Sequence, residues 1–194
     1  PLELVKCKSC DLEVPAEAEI VLEGYVSATE RQMEAPFGEF TTMYGGPHMY
    51  HVVTVTAITM RKKPIYLDCF SGHLDHQLLG GTGRLSTIYK TVRMACPTVK
   101  DVFMPPSGCC RLSCYVSIHK RHEGEAKNAV GAVLASDPFI KYVVVVDDDV
   151  NIYSDSAVLQ AIATRLKPDQ NAFMIKNAKG HPLDPTAYNG YVVT

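Results

Sequence analysis

The chain is poor in features that fix a protein's class at once. No apolar run approaches the roughly 18 residues a bilayer-spanning helix takes, and the longest, residues 142–146, has the length of one buried strand. No block of like charge stands out, and 19 Lys and Arg nearly balance 21 Asp and Glu. Nucleic acid and anionic membrane surfaces are therefore not indicated as partners. The short basic cluster His119-Lys120-Arg121-His122 reads as a solvated turn or strand end. A signal-peptide pattern is also missing, which makes a cytoplasmic location the expectation. There is no G-x-G-x-x-G and no G-x-x-x-x-G-K-[ST]; Gly80-Gly81-Thr82-Gly83 lies inside a helical pattern and argues only weakly for a nucleotide site. The first residue is Pro1, from which we expect the natural chain to start further upstream.

Cysteine is the ambiguous residue. There are seven, with Cys7 and Cys10 in a C-x-x-C and Cys109, Cys110 and Cys114 in a second cluster. A second C-x-x-C is missing, so the spacing does not make a four-ligand zinc site. Free, mostly buried thiols are the expectation, with no metal assigned to this chain.

What is present is enough apolar material for a core, 46% of the residues. Residues 19–26 and 51–58 alternate and are rich in β-branched side chains, as strands are. Residues 64–69 are expected to pair with the second of these across the Arg61-Lys62-Lys63 turn. Between the first two strands, residues 27–47 form a long loop with prolines and glycines, and long loops of this kind are often functional. Residues 73–95 read as a helix, broken by Gly80, Gly81 and Gly83 and stopped by Pro97. Then come strands at 99–104 and 111–119, a small-residue helix at 124–135, an apolar strand at 141–146, a helix at 154–166 capped by Ser154 or Asp155, and a short strand at 172–175. The alternation argues for an open α/β sheet.

The loop Glu34-Ala35-Pro36-Phe37-Gly38-Glu39 carries the chemistry. Its carboxylates bracket a proline that fixes φ and a glycine that permits unusual backbone. Paired carboxyls in a partly dry pocket split their pKa values, so that one stays protonated and serves as a general acid. The alternative on chemistry alone is two solvated loop charges. Asp147-Asp148-Asp149 reads as a strand-end cap rather than a magnesium or calcium site, His119 and His122 as surface residues, and Glu23 as structural.

Several motifs occur together and in order. Val14-Pro-Ala-Glu-Ala-Glu-Ile-Val-Leu-Glu-Gly24 and the Glu34 to Glu39 loop are followed by Val55-Thr-Ala-Ile-Thr59, Arg61-Lys-Lys-Pro-Ile-Tyr66, Val116-Ser-Ile118, Val145-Val-Asp-Asp-Asp149, Ala161-Ile-Ala-Thr-Arg165 and Leu183-Asp-Pro185. This series resembles the UbiD family of reversible decarboxylases over nearly the whole chain. Ala35 stands where that family usually has glycine, and Met60 and the 71–76 stretch also depart from its pattern.

The resemblance implies a mixed α+β and α/β architecture: part of a split-barrel flavin-binding lobe at 1–72, a connecting helix at 73–97 and an α/β lobe at 98–194. It implies non-oxidative decarboxylation of an aromatic or α,β-unsaturated carboxylic acid with prenylated FMN. Glu39 matches the family's proton donor, and Glu34 the glutamate that hydrogen-bonds the network arginine. That arginine, and the Mn2+ and K+ ligands of the complete enzyme, match segments before Pro1, so this chain alone is expected to be inactive. A homodimer or higher oligomer is implied. The alternative is a non-catalytic subunit or assembly module pairing with a separate flavin-binding chain.

Overall fold

β-Branched alternation produces the two long strands of the first unit, and the structure, a computed structural model, describes residues 2–186. Pro1 and residues 187–194, the end of the expected 98–194 lobe, lie outside the described residues. The chain divides into two compact units: Pro1–Phe37 with Gly46–Cys69, and Gly38–Gly45 with Phe70–Thr194.

In the first unit β1 (Leu4–Lys6) pairs antiparallel with β2 (Glu13–Pro15), and β3 (Ile20–Glu34) pairs antiparallel with β4 (His48–Met60). No closed barrel forms among the described residues. β3 runs further than its pattern suggested, so the expected loop at 27–47 shrinks to 35–47. The register breaks between Val26 and Arg31. There the Ser27 hydroxyl accepts a 2.9 Å bond from the Glu30 N–H, and the bulge is held while the ladder resumes at Arg31 opposite His51.

Residues 64–69 do not form the expected strand. Pro64 has no N–H to donate, and the Ile65 N–H is taken by the Glu19 carboxylate at 3.1 Å. Ile65, Tyr66 and Leu67 are exposed, with no ladder to join.

Glu23 fastens the β1–β2 turn to β3. It is 4% exposed. One carboxylate oxygen accepts from the Lys8 N–H at 2.8 Å, the other from the Ser9 N–H at 2.5 Å and the Ser9 hydroxyl at 2.7 Å. The Lys8 N–H first, and then the two Ser9 donors, hold this carboxyl below the usual glutamate value despite its burial.

The second unit builds a sheet in the order β5 (Val99–Phe103), β6 (Ser113–Ile118), β7 (Tyr142–Asp147). β5 and β6 are antiparallel, β6 and β7 parallel, so the sheet is mixed. Helix α1 (Leu74–Ala95) leads into it, α2 (Glu125–Ser136) crosses from β6 to β7, and α3 (Asp155–Arg165) follows. Ser154 caps α3, its hydroxyl accepting from the Ala157 N–H at 3.3 Å. A last short helix, α4 (Pro168–Asn171), precedes residues 172–175, which are not the expected strand; Phe173, Met174 and Ile175 are exposed. The main core joins Ile88 and Val92 of α1 to Val102, Val116 and Ile118 of the sheet and Ala129 and Val133 of α2. No helix among the described residues is long and apolar enough to cross a membrane.

The glycines of α1 do not break it. A methyl group on Gly81 would lie 2.7 Å from the Cys110 carbonyl, so the missing side chain is what lets the 105–112 loop lie against the helix. One turn earlier, buried Gln77 donates to the Phe40 carbonyl at 3.1 Å and the Gly72 carbonyl at 3.2 Å, which ties residues 38–45 to the helix.

Two predictions follow from these clasps. Gln77→Leu leaves two acceptors without their donor and costs about 1–3 kcal/mol; amide exchange at Thr42 and Met43 should quicken, and unchanged exchange would refute the anchor. Because the folded Glu23 carboxyl is depressed, its contribution is full above the unfolded value of about 4.3 and is lost as pH falls through the folded value. Glu23→Gln should therefore lower the thermal midpoint at neutral pH, with the gap to wild type narrowing in acid.

Candidate functional site

Glu39 sits at the base of a small hairpin within Gly38–Gly45. Its N–H donates to the Met43 carbonyl at 2.9 Å, and its carbonyl accepts from the Thr42 N–H at 3.0 Å. A further bridge joins Gly38 to Tyr44. Thr42 occupies the left-handed position with φ 64°, where glycine or asparagine is usual, so the turn carries backbone strain. Next to Glu39, Phe40 is fully buried. Its ring meets Phe139 edge to face at 5.8 Å, and the Arg111 guanidinium lies 4.2 Å over it. The hairpin is thus nailed to the α/β unit one residue from the carboxylate. A methyl on Gly45 would stand 3.1 Å from a Glu39 carboxylate oxygen, so bare backbone at Gly45 makes room for that group.

Arg111 is a cation in the field of Glu39. Burial first, and then repulsion by Arg84, lower its pKa; Asp137, Cys110 and Glu39 act in the opposite sense. Its Nε is buried with no hydrogen-bond partner among the described residues. Arg84 is engaged by the buried Asp137 at 2.7 Å and lies 4.4 Å over the Phe139 ring. His181 stacks on the other components of this cluster through Phe139 at 3.5 Å, and burial, followed by Arg84, pushes its pKa down. The loop that delivers Arg111 contains Cys109 and Cys110 in consecutive left-handed conformations, φ 54° and 52°. Bonds from the Cys110 N–H to the Pro105 carbonyl and from the Arg111 N–H to the Gly108 carbonyl hold it. Nothing in the sequence pattern signalled Arg111, Phe40 or Gln77; only the burial of Phe40 identifies them.

Glu34 ends β3, exposed and opposite His48 in the ladder. It belongs to the first unit, and Glu39 to the second. The acids 147–149 diverge: Asp148 meets His119 at 2.9 Å, Asp149 meets Arg165 at 2.8 Å, and the Asp147 carbonyl accepts from the Val150 N–H. Among the described residues the group of three or more His, Cys, Asp or Glu side chains with ligand atoms close together is Cys7, Cys10 and Glu23. It offers sulfur, whereas manganese and potassium take oxygen ligands, so it does not fit those ions. A wide groove between α2, β7, α3 and residues 170–186 is lined by apolar side chains such as Val143, Val145 and Phe173, and Glu39 does not line it.

The models of two domains match in succession: the 3-octaprenyl-4-hydroxybenzoate carboxy-lyase Rift-related domain over residues 1–74, and the C-terminal domain of the same carboxy-lyase over residues 77–192. The anhydromevalonate phosphate decarboxylase of Methanothermobacter thermautotrophicus is 39% identical over 186 residues, 96% of this chain and 44% of that protein. Its counterpart in Methanosarcina mazei is 40% identical over 185 residues, 95% of this chain and 43% of that protein. Among solved structures, the UbiD-class enzyme HmfF from Pelotomaculum thermopropionicum in complex with FMN superposes with a TM-score of 0.93 at 46% identity, covering 98% of this chain and 43% of HmfF. The chain therefore spans less than half the length of these relatives. With both domain models matched in order and the fold shared, the chain belongs to the UbiD family of carboxy-lyases.

Proposed function

We propose that this chain supplies the proton-donating part of a UbiD-type active site, with Glu39 as the acid and Glu34 as its partner. The complete enzyme would catalyse reversible, non-oxidative decarboxylation of an aromatic or α,β-unsaturated carboxylic acid. The observation that carries this reading is the anchored hairpin: Glu39 stands on a strained turn fixed by Phe40 and Gln77 and lies in the field of Arg111. Such rigidity is what a proton donor to carbon needs, since a loose carboxyl would miss the reacting atom. Relatives support the substrate class through their names, which include a 3,4-dihydroxybenzoic acid decarboxylase from Klebsiella pneumoniae and a vanillic acid decarboxylase from Sedimentibacter hydroxybenzoicus.

Prenylated FMN, present in a solved dimeric form of HmfF, would supply the electron sink for the carbon left by carbon dioxide. The residues that hold its phosphate and the accompanying Mn2+ and K+ are proposed to lie outside this chain. What this chain's residues do is hold and move one proton. A Glu39 carboxyl oxygen carries it to the substrate carbon in the decarboxylating direction and takes it back in the reverse. Arg111 opposes protonation, because a nearby cation favours the carboxylate. It thereby favours the carboxylate form from which Glu39 acts as a base in the reverse direction. Glu34 would hydrogen-bond the arginine of the family's network.

The division of labour proposed for the chain is a flavin-lobe portion at 1–72, a connecting helix at 73–97 and an α/β lobe at 98–194 that helps build a homodimer or larger oligomer. A second reading, pairing with a separate flavin-binding chain, is favoured by the many exposed apolar side chains of β3 and β4, including Leu22, Tyr25, Val53 and Ile58.

Two measurements test the site in the complete, cofactor-loaded protein. Glu39→Gln should lower kcat by at least about 100-fold, the scale of general acid catalysis, with flavin binding and the circular dichroism spectrum intact; turnover at the wild-type rate would remove Glu39 from the mechanism. Arg111→Met takes away a cation, so the pKa of Glu39 should rise. If protonated Glu39 is the active form, the alkaline limb of the kcat profile then moves to higher pH, and a limb that stays put or moves down contradicts the role given to Arg111.

A further inference from the structure

The β1–β2 turn brings Cys7 and Cys10 against Glu23, and one ligand atom from each lies within 4.8 Å of the other two. Free thiols were the expectation for these cysteines, and the sequence pattern did not connect them with Glu23. The geometry does. Cys7 opens the turn, its N–H donating to the Leu12 carbonyl at 2.9 Å. Lys8 and Ser9, between the cysteines, donate to the Glu23 carboxylate, so the third group is aimed into the C-x-x-C loop and locked there. Both cysteines are half-buried, and Glu23 is buried.

We propose that Cys7, Cys10 and Glu23 form a binding site for a soft divalent cation of the zinc class, with the fourth position open to water. The distances suit it. Zn–S bonds of about 2.3 Å in a tetrahedron put two sulfurs about 3.8 Å apart, so the cluster closes by no more than roughly 1 Å to reach that geometry. The donor set suits it as well, since thiolates select zinc-class ions over manganese or magnesium. Binding is then Zn2+ plus two thiols and one carboxylate, giving a complex of net charge −1 and two released protons.

The hydrogen bonds to Glu23 are explained by the turn they hold, without any ion. The paired thiols are not, and a cation would turn the hydrogen-bonded clasp between the turn and β3 into a coordinate one. This places a structural ion in the first unit, independent of the decarboxylase reading.

The test uses the whole 194-residue chain, reduced and stripped of metal, titrated with Co2+ and then Zn2+. The site predicts one equivalent of Co2+ with sulfur-to-cobalt charge-transfer absorption and tetrahedral ligand-field bands, abolished by Zn2+. Affinity should rise with pH. Cys7→Ser and Cys10→Ser should each weaken Co2+ binding by about 100-fold or more, beyond what loss of an outer-shell partner does. Absence of the charge-transfer band with the thiols verified as reduced would overturn the proposal, as would a band that survives in the double variant and so arises from other cysteines. Should the variants fail to fold, alkylation of the wild type decides. Zn2+ must protect Cys7 and Cys10 while leaving exposed Cys69 reactive, and equal labelling of all three with and without Zn2+ rules the site out.

Discussion

The burial of Phe40 is the constraint on which the candidate site depends. Eight residues, Gly38–Gly45, are too few to make a core of their own, yet they carry the acid. Their position relative to the α/β unit is set by one ring that is wholly removed from water, with an arginine over its face and a second phenylalanine at its edge. Burying such a ring contributes about 1.5–3 kcal/mol, and Gln77 adds the polar clasp beside it. The backbone of Glu39 is therefore positioned by its neighbour in sequence. The same ring recruits Arg111, so one packing event sets both the location of the acid and its electrostatic surroundings.

The two units draw their stability from different sources. The α/β unit buries Ile88, Val92, Val116, Ile118 and Val133 almost completely between α1, α2 and the sheet. In the first unit the long antiparallel ribbon of β3 and β4 leaves apolar side chains of both faces exposed, and two-stranded ribbons gain little from burial. Backbone pairing carries it, together with local polar fixings such as the Glu23 carboxylate under the 7–10 turn and the Ser27 hydroxyl in the bulge. That contrast explains why so much of its order is polar and local.

Elements with strong periodicity were legible from sequence. The helices at 74–95, 125–136 and 155–165 and the strands at 99–103, 113–118 and 142–147 fall within one or two residues of their patterns, because each helix buries one apolar face and the sheet packs against a core cluster on either side. Failures have particular causes. Residues 64–69 look apolar enough for a strand, but proline withholds a donor and no neighbour offers a ladder. Residues 172–175 likewise lack a partner. β3 was cut short because a bulge interrupts its alternation, and Gly80 and Gly81 of α1 looked like breaks when their role is close approach of another loop. The loop bearing Glu34 and Glu39 was identified through its motif. Arg111 was not, since a lone arginine beside cysteines has no signature, and its place above Phe40 exists only after folding. The same holds for Glu23 beside Cys7 and Cys10, which are distant in sequence and joined only by strand placement.

The paired left-handed residues Cys109 and Cys110 have an evolutionary corollary. Both sites demand a backbone shape that β-branched side chains resist and glycine or asparagine accepts. Backbone shape thus limits which residues these two sites accept, and at Cys110 the buried side chain also fills space in the core. Homologues could exchange the half-buried Cys109 for glycine and still present the arginine in the same place, whereas valine or isoleucine at either position would swing it away from the aromatic pair.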